Sequence, residues 1–303
     1  MTIGIPRAFL YYRYHHLWEA FFRALDCDVV VSPKTNRAIV EEGSRLALDE
    51  TCLPLKLFLG HVASLAGRCD AVFVPRLMSR GRESEYCVRA FGLFDTAQSM
   101  FPSLTILGAS LDRAGEKAEE QLFLTVGKAL GKRKTRSRDA YRAGRWAQDT
   151  HDVGAMTAQL RRMDEAGKKI LLAGQPYLLH DGYVSGAILR TVEGLGGKIL
   201  YSDRFDRTVC QKAAQALTPD CYWLLNKEIS GAVERYRSQM DGVILLAAFP
   251  CGNDALMSEM IVRRTGDVPM IRLLLDEQQG EAGLQTRLES FMDMLAGRRV
   301  VNG

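Results

Sequence analysis

The stretch "VILLAAFPCGNDALMSEMIVRR", residues 243–264, decides the fold. Its first half is a continuous apolar run, the pattern of a strand covered on both faces. A proline stops that run, and Leu256, Met257, Met260 and Ile261 then recur at helical spacing. A buried strand leading straight into an amphipathic helix is one βα step of a parallel sheet.

Working outward, the same step recurs along the chain. Towards the N-terminus "TIGIP" (2–6), "CDVVVS" (27–32), "CDAVFVP" (69–75) and "LTILGA" (104–109) read as strands. Between them "RAFLYYRYHHLWEAFFRAL", "NRAIVEEGSRLAL", "LPLKLFLGHVASLAG" and "FGLFDTAQSMF" read as helices. The pattern restarts with "KKILLAGQPY" (168–177), "KILYSD" (198–203), "GVILLAAFP" (242–250) and "VPMIRLLLD" (268–276), with helices near 184–195, 226–240, 252–264 and 282–295. The expected fold is α/β: two similar domains with mainly parallel four-stranded sheets. The first domain covers 1–115, a helical and basic connection 116–167, and the second domain 168–303. Neither half contains a short-period repeat.

The chain has 303 residues, 47% apolar and 25% charged, the make-up of a globular protein. No apolar run reaches the ~18 residues of a membrane span, and "MTIGIPRAF" lacks the pattern of a secretory leader. A cytoplasmic protein with no membrane partner is expected. Much of the net charge of +4 comes from "GKALGKRKTRSRDAYRAGR", residues 127–145. Without interleaved aromatics or a nucleic-acid motif, this run reads as a solvated helix and linker, away from a nucleic-acid partner.

Phosphate cradles are absent from the sequence. "VGKALGKRKT" misses the Walker spacing, and the glycines of "VEGLGGK" close a helix instead of opening one. Neither a G-x-S-x-G elbow nor an H-E-x-x-H pair occurs. His61 lies on an apolar helix and reads as a core or capping residue, while His180 follows a strand end in "GQPYLLHDGY".

Seven cysteines remain, an odd and scattered set that argues against a disulfide framework in the cytosol. Helices run antiparallel to strands in such a sheet, so strand ends and helix starts share the C-terminal edge, where ligands bind. Cys27 and Cys69 each begin a strand and belong to the opposite edge. Cys210 and Cys221 flank "QKAAQALTPD" with no strand before them and read as packing or surface thiols. Cys52, Cys87 and Cys251 differ. Cys52 is the last residue before a helix, Cys87 lies in the loop between a strand and the next helix, and Cys251 sits at a strand-to-helix joint. Each is near a helix N-terminus, where free N–H groups favour a thiolate. Three such thiols point to a metal centre or to inert buried cysteines. Structural zinc uses closely spaced pairs and four ligands, whereas an iron–sulfur cluster tolerates wide spacing and would keep one iron position open.

At these residues the chain resembles a known family. "IGIPRAFLYYRYHHLWEAFF", "DETCLPLKLFLGHV", "GQPYLLHDGYVSG", "FPCGNDALMSEMIVRR" and "LLLDEQQGEAGLQTRLESFMDML" resemble the acyl-CoA dehydratase activase-related proteins. These are relatives of the 2-hydroxyacyl-CoA dehydratase subunits and the double-cubane cluster reductases. The resemblance implies that the two α/β domains are Rossmann-like, with a [4Fe–4S] type cluster between them and Cys52, Cys87 and Cys251 as its ligands. It also implies an ATP-hydrolysing activase of the actin/Hsp70-like fold as electron donor, and a related companion subunit or a second copy of the chain as partner. Around Cys87 relatives read Cys-Pro-Lys, an aromatic and Gly-Leu-Pro-Asp; here "CVRAFGLFDT" lacks the prolines but keeps Cys87, Gly92, Leu93 and Asp95.

The expected function is that of an iron–sulfur component taking low-potential electrons for reductive chemistry, on an acyl-CoA. The alternative is a non-catalytic cluster carrier or scaffold subunit, which leaves open whether the chain is itself an enzyme. Arg7, Tyr177 and His180 complete the cofactor-binding candidates.

Overall fold

Every pairing within the two main sheets is parallel. A computed structural model describes residues 1–81, 84–111, 116–278 and 280–301. By contacts the chain divides into two units: Met1–Val153 with Tyr222–Leu224, and Gly154–Cys221 with Leu225–Gly303. The domain end expected at 115 lies outside the described residues.

The first unit begins with β1 (Thr2–Ile5), α1 (Tyr11–Ala24), β2 (Asp28–Val31), α2 (Arg37–Leu46), α3 (Leu53–Ala63) and β3 (Ala71–Phe73). Short strands β4 (Arg76–Leu77), β5 (Ser79–Gly81) and β6 (Ser84–Glu85) follow. Helices α4 (Val88–Phe91) and α5 (Leu93–Met100) lead to β7 (Ile106–Leu107) and β8 (Ser110–Leu111). The sheet order is β2-β1-β3-β7, with β4 paired to β8 and β5 to β6 in two small side sheets. The aromatic face of α1 is why this sheet has a core: Phe21 and Phe22 are fully buried, and Phe22 meets Phe73 of β3 edge-on at 4.9 Å. Helix α1 starts later than expected because Phe9 takes a left-handed φ of 48°, which turns the chain before a helix can begin. Helices α6 (Glu116–Ala129) and α7 (Lys134–Asp164) carry the polar middle of the chain.

The second unit contains β9 (Lys168–Ala173), α8 (Pro176–His180), α9 (Gly182–Gly194), β10 (Gly197–Tyr201), α10 (Arg207–Leu217), α11 (Leu224–Tyr236), β11 (Gly242–Ala248), α12 (Gly252–Arg264), β12 (Met270–Leu275) and α13 (Glu281–Val301). Its order, β10-β9-β11-β12, repeats that of the first sheet. Strand β11 is buried along its whole length, as its unbroken apolar sequence requires. Among the described residues no helix is long and apolar enough to cross a membrane.

The two units share more than strand order. Ile3 pairs with Val29 and Ala71 in one sheet as Ile170 pairs with Ile199 and Gly242 in the other. The N–H of Arg7 donates to Ser32 Oγ at 2.8 Å, and that of Gly174 donates to Ser202 Oγ at 3.3 Å. Asp26 and Gly196, each just ahead of the second strand, both have positive φ, 61° and 78°. Asp70 accepts from the Thr2 N–H, and Asp241 from the Lys169 N–H, both at 2.7 Å. Each aspartate also donates its own N–H back to the carbonyl of the same residue. Matching register, matching turns and matching side-chain ties make the units two copies of one structural plan.

Those aspartates give a direct test. Asp241 is half-buried while Asp70 is exposed. Asp241→Ala should therefore lower unfolding stability by about 1–2 kcal/mol, and Asp70→Ala by less, since water replaces the lost acceptor there. Urea denaturation of the two variants measures both.

Candidate metal centre

Each of the three singled-out cysteines is the N-cap of a helix. Cys52 caps α3 with φ −64° and ψ 145°, is buried, and has Pro54 in the first helical turn behind it. Lys56, buried one turn later, donates from Nζ to the Asp49 carbonyl at 3.1 Å and so ties the preceding loop to the helix. Cys87 caps α4 with φ −64° and ψ 149°, and its Sγ accepts the Ala90 N–H at 3.4 Å. Its neighbour Tyr86 is buried, with its hydroxyl 2.5 Å from that of Tyr14 on α1.

Cys251 caps α12 with φ −93° and ψ 107°. Its N–H donates to the Ala248 carbonyl at 2.7 Å, and Asp254 stands in the first helical turn behind it. Cys87 and Cys251 occupy the same joint of the repeated plan, opening the helix that follows the third strand of each sheet. The counting agrees beyond them: Leu93, Ala97 and Ile106 in one unit match Met257, Ile261 and Met270 in the other. The four helical residues among these are all buried against their own sheets, and Ile106 and Met270 pair with Val72 and Val243 of the third strands.

The other cysteines are placed differently. Cys27 and Cys69 lie ahead of β2 and β3 and bond to the carbonyls of Leu25 and Leu65. Burial raises both thiols, and it pushes Cys210, inside α10, up to about 12. Cys221 is buried. A thiol raised by burial stays protonated and makes a poor metal ligand.

Arg7 uses its Nε to bond the Ser32 carbonyl at 3.3 Å, and its guanidinium stands 5.1 Å from the Tyr11 ring centre. Tyr177 is buried on α8. The strand expected to run through 177 stops at Ala173, because Pro176 begins that short helix. His180 therefore ends a helix instead of lying in a loop, and its Nε2 stands 2.8 Å from Asp203 Oδ2. Burial alone would raise the Asp203 carboxyl, but His180 beside it, with the charges of Arg204 and Arg207, outweighs that and holds it below the ordinary carboxylate value.

One group went unread in the sequence. Gln175 Nε2 donates to Asp254 Oδ1 at 3.0 Å and to Asn226 Oδ1 at 3.1 Å. Asn226 Nδ2 reaches Asp254 Oδ1 at 3.4 Å, and the Ala248 N–H reaches Oδ2 at 3.3 Å. All three side chains are buried. They lie in "GQPY" (174–177), "WLLNKE" (223–228) and "CGNDA" (251–255), and only the likeness of the two units singles them out.

Thiols at helix N-termini are in the setting that favours the thiolate form iron binds, so the donor chemistry fits an iron–sulfur unit. Among the described residues no group of three or more His, Cys, Asp and Glu side chains is gathered closely enough to hold a metal ion.

The family described as "CoA enzyme activase uncharacterised domain" matches residues 2–205. The chain belongs to that family. The match to that uncharacterised domain takes in Cys52 and Cys87, together with Arg7, Tyr177 and His180, while Cys251 lies beyond it. No curated protein matches the chain. Among solved structures, a carbohydrate transporter from Acidothermus cellulolyticus 11B, crystallised with myo-inositol, is similar at 11% identity. That likeness covers 90% of this chain and 73% of the transporter with a TM-score of 0.20, too slight to bear on fold or function.

Proposed function

We propose that this member of the CoA enzyme activase domain family is an iron–sulfur protein, with Cys52, Cys87 and Cys251 as ligands of a [4Fe–4S] type cluster. It accepts low-potential electrons from an ATP-dependent activase of the actin/Hsp70-like fold, and directs them to reductive chemistry on an acyl-CoA. A related companion subunit, or a second copy of the chain, completes the assembly. The observation that carries this reading is the equivalence of Cys87 and Cys251. A thiol recurs at one joint of a duplicated plan, capping a helix both times, although the sequences around it differ. The missing phosphate loops support the electron-accepting side of such a pair.

When bound, such a cluster supplies one-electron transfer. The chain's own residues supply the rest. Each of the three sulfurs sits on a helix N-cap, with Cys87 Sγ accepting the Ala90 N–H, and the buried surroundings of Cys52 limit water there.

Anaerobic reconstitution with iron and sulfide tests this. Iron and acid-labile sulfide should load together with a broad visible absorbance. Cys52→Ser, Cys87→Ser and Cys251→Ser should each lose most of the iron, while Cys27→Ser and Cys69→Ser retain it. A colourless wild-type protein after reconstitution would sink the proposal, and equal loss in all five variants would sink the ligand assignment.

A further inference from the structure

The duplicated plan makes each unit a control for the other. Gln175 follows Gly174, whose N–H bonds Ser202; its counterpart Ala8 follows Arg7, whose N–H bonds Ser32. Asn226 is the third residue of α11, as Leu55 is of α3. The two helices also place Gly231 and Gly60 alike, each backed against a carbonyl of the preceding helix. Asp254 is the third residue after the capping Cys251, as Ala90 is after Cys87. Thus alanine, leucine and alanine, all buried, stand in the first unit where glutamine, asparagine and aspartate stand in the second.

Packing alone does not call for those polar groups. Asp254 is 3% exposed, Asn226 4% and Gln175 7%. Burying such groups costs free energy unless every partner is met, and a hydrophobic set of similar volume is often at least as stable. Here one partner is not met: Gln175 Oε1 is buried with no hydrogen bond. The network sits where the chain reverses its direction of winding, between the ends of β9 and β11, the place where ligands bind in open parallel sheets. It ends on the first turn of α12, whose N-cap is Cys251, and on the Ala248 N–H just ahead of it.

We infer that Gln175, Asn226 and Asp254 are positioning residues for Cys251, fixing the first turn of α12 that carries its sulfur to the metal. This rests on the cluster reading above and deepens it. The two equivalent thiols are then unequal in support. Cys87 Sγ accepts the Ala90 N–H of its own helix, whereas the turn that follows Cys251 is braced through Asp254 to the ends of β9 and β11. Groups that orient a metal ligand change metal affinity by about 10–100-fold when removed.

The test rewrites the second unit as the first: Gln175→Ala with Asn226→Leu and Asp254→Ala. The triple variant should melt at or above the wild-type temperature, yet lose iron to a chelator about tenfold faster. Its reduced cluster should also show a shifted electron paramagnetic resonance spectrum. Gln175→Ala alone, which leaves Asp254 with its other donors, should show the same spectral shift in smaller measure. It serves also if the triple variant does not fold. Folded variants with wild-type iron retention and an unchanged spectrum would overturn the inference and leave the cluster reading intact. Wild-type protein that takes up no iron would overturn both.

Discussion

Gly60→Ala is expected to destabilise the first unit by about 3 kcal/mol or more, although alanine is the better helix former. The propensity change alone favours the variant by about 1 kcal/mol. Against it stands the close crossing of α2 and α3. A Cβ built at Gly60 runs into the Ile39 carbonyl, 2.9 Å from its carbon, and one built at Gly43 lies 2.7 Å from the Lys56 carbonyl carbon. Those obstacles are backbone, so no side chain can swing aside. The helices must separate, and the packing around buried Ile39, Phe58 and Val62 opens with them. A loss of that size is a large share of the roughly 5–15 kcal/mol that holds a domain folded. Gly154→Ala, in α7 with open space around the added atom, should instead gain about 1 kcal/mol. Urea unfolding followed by circular dichroism measures both. Equal stability of Gly60→Ala and the wild type would mean that the helices cross less closely than described.

This crossing also shows what a sequence reader sees and misses. Helices α2 and α3 declare themselves through apolar spacing, and β1, β2, β3, β9 and β11 through short β-branched and apolar runs. The parallel order follows from their alternation with helices. The placement of Cys52 and Cys251 at helix starts was likewise readable, whereas Cys87 read as a loop residue, because the next helix was expected only from Phe91 and the short α4 has no apolar repeat of its own. Other features are set by contacts distant in sequence. Helix α10 was not read, because "RTVCQKAAQAL" is weakly apolar and its clearest mark is Asp206 accepting the Val209 N–H. The hairpin of β5 and β6, which separates β3 from Cys87, has no apolar alternation to announce it. Gln175, Asn226 and Asp254 look like ordinary turn and helix-start residues. Nothing local says that they are buried together, and their meaning emerges only beside Ala8, Leu55 and Ala90.

Acid should weaken the protein well above the range in which its carboxylates titrate, and His61 is the chief reason. Its ring is fully buried on α3, with Nδ1 2.9 Å from Ser32 Oγ and Nε2 3.0 Å from Thr35 Oγ1. Ser32 Oγ accepts the Arg7 N–H, so its own hydrogen is free to point at Nδ1, and Nε2–H then donates to Thr35. A neutral ring satisfies this arrangement, whereas a second ring proton would face the Ser32 hydroxyl hydrogen. Burial, and then the charge of Arg7, push the His61 pKa down to about 3. In the unfolded chain it returns to the ordinary value near 6.5, so the unfolded state takes up the proton first as pH falls. Stability is thus complete above about pH 6.5 and declines from there towards the folded-state value near 3. By pH 5 the loss from this one residue is about 2 kcal/mol relative to pH 7.5. His16, lowered to about 4 by burial and by the flanking His15 and His151, acts in the same direction. The paired Asp203 carboxyl, already below the ordinary value, contributes only at lower pH. His61→Gln should therefore be less stable than wild type at pH 7.5 yet lose markedly less between pH 7.5 and 5. Urea midpoints at the two pH values decide it. Parallel losses in both proteins would mean that His61 is not the buried neutral base described here.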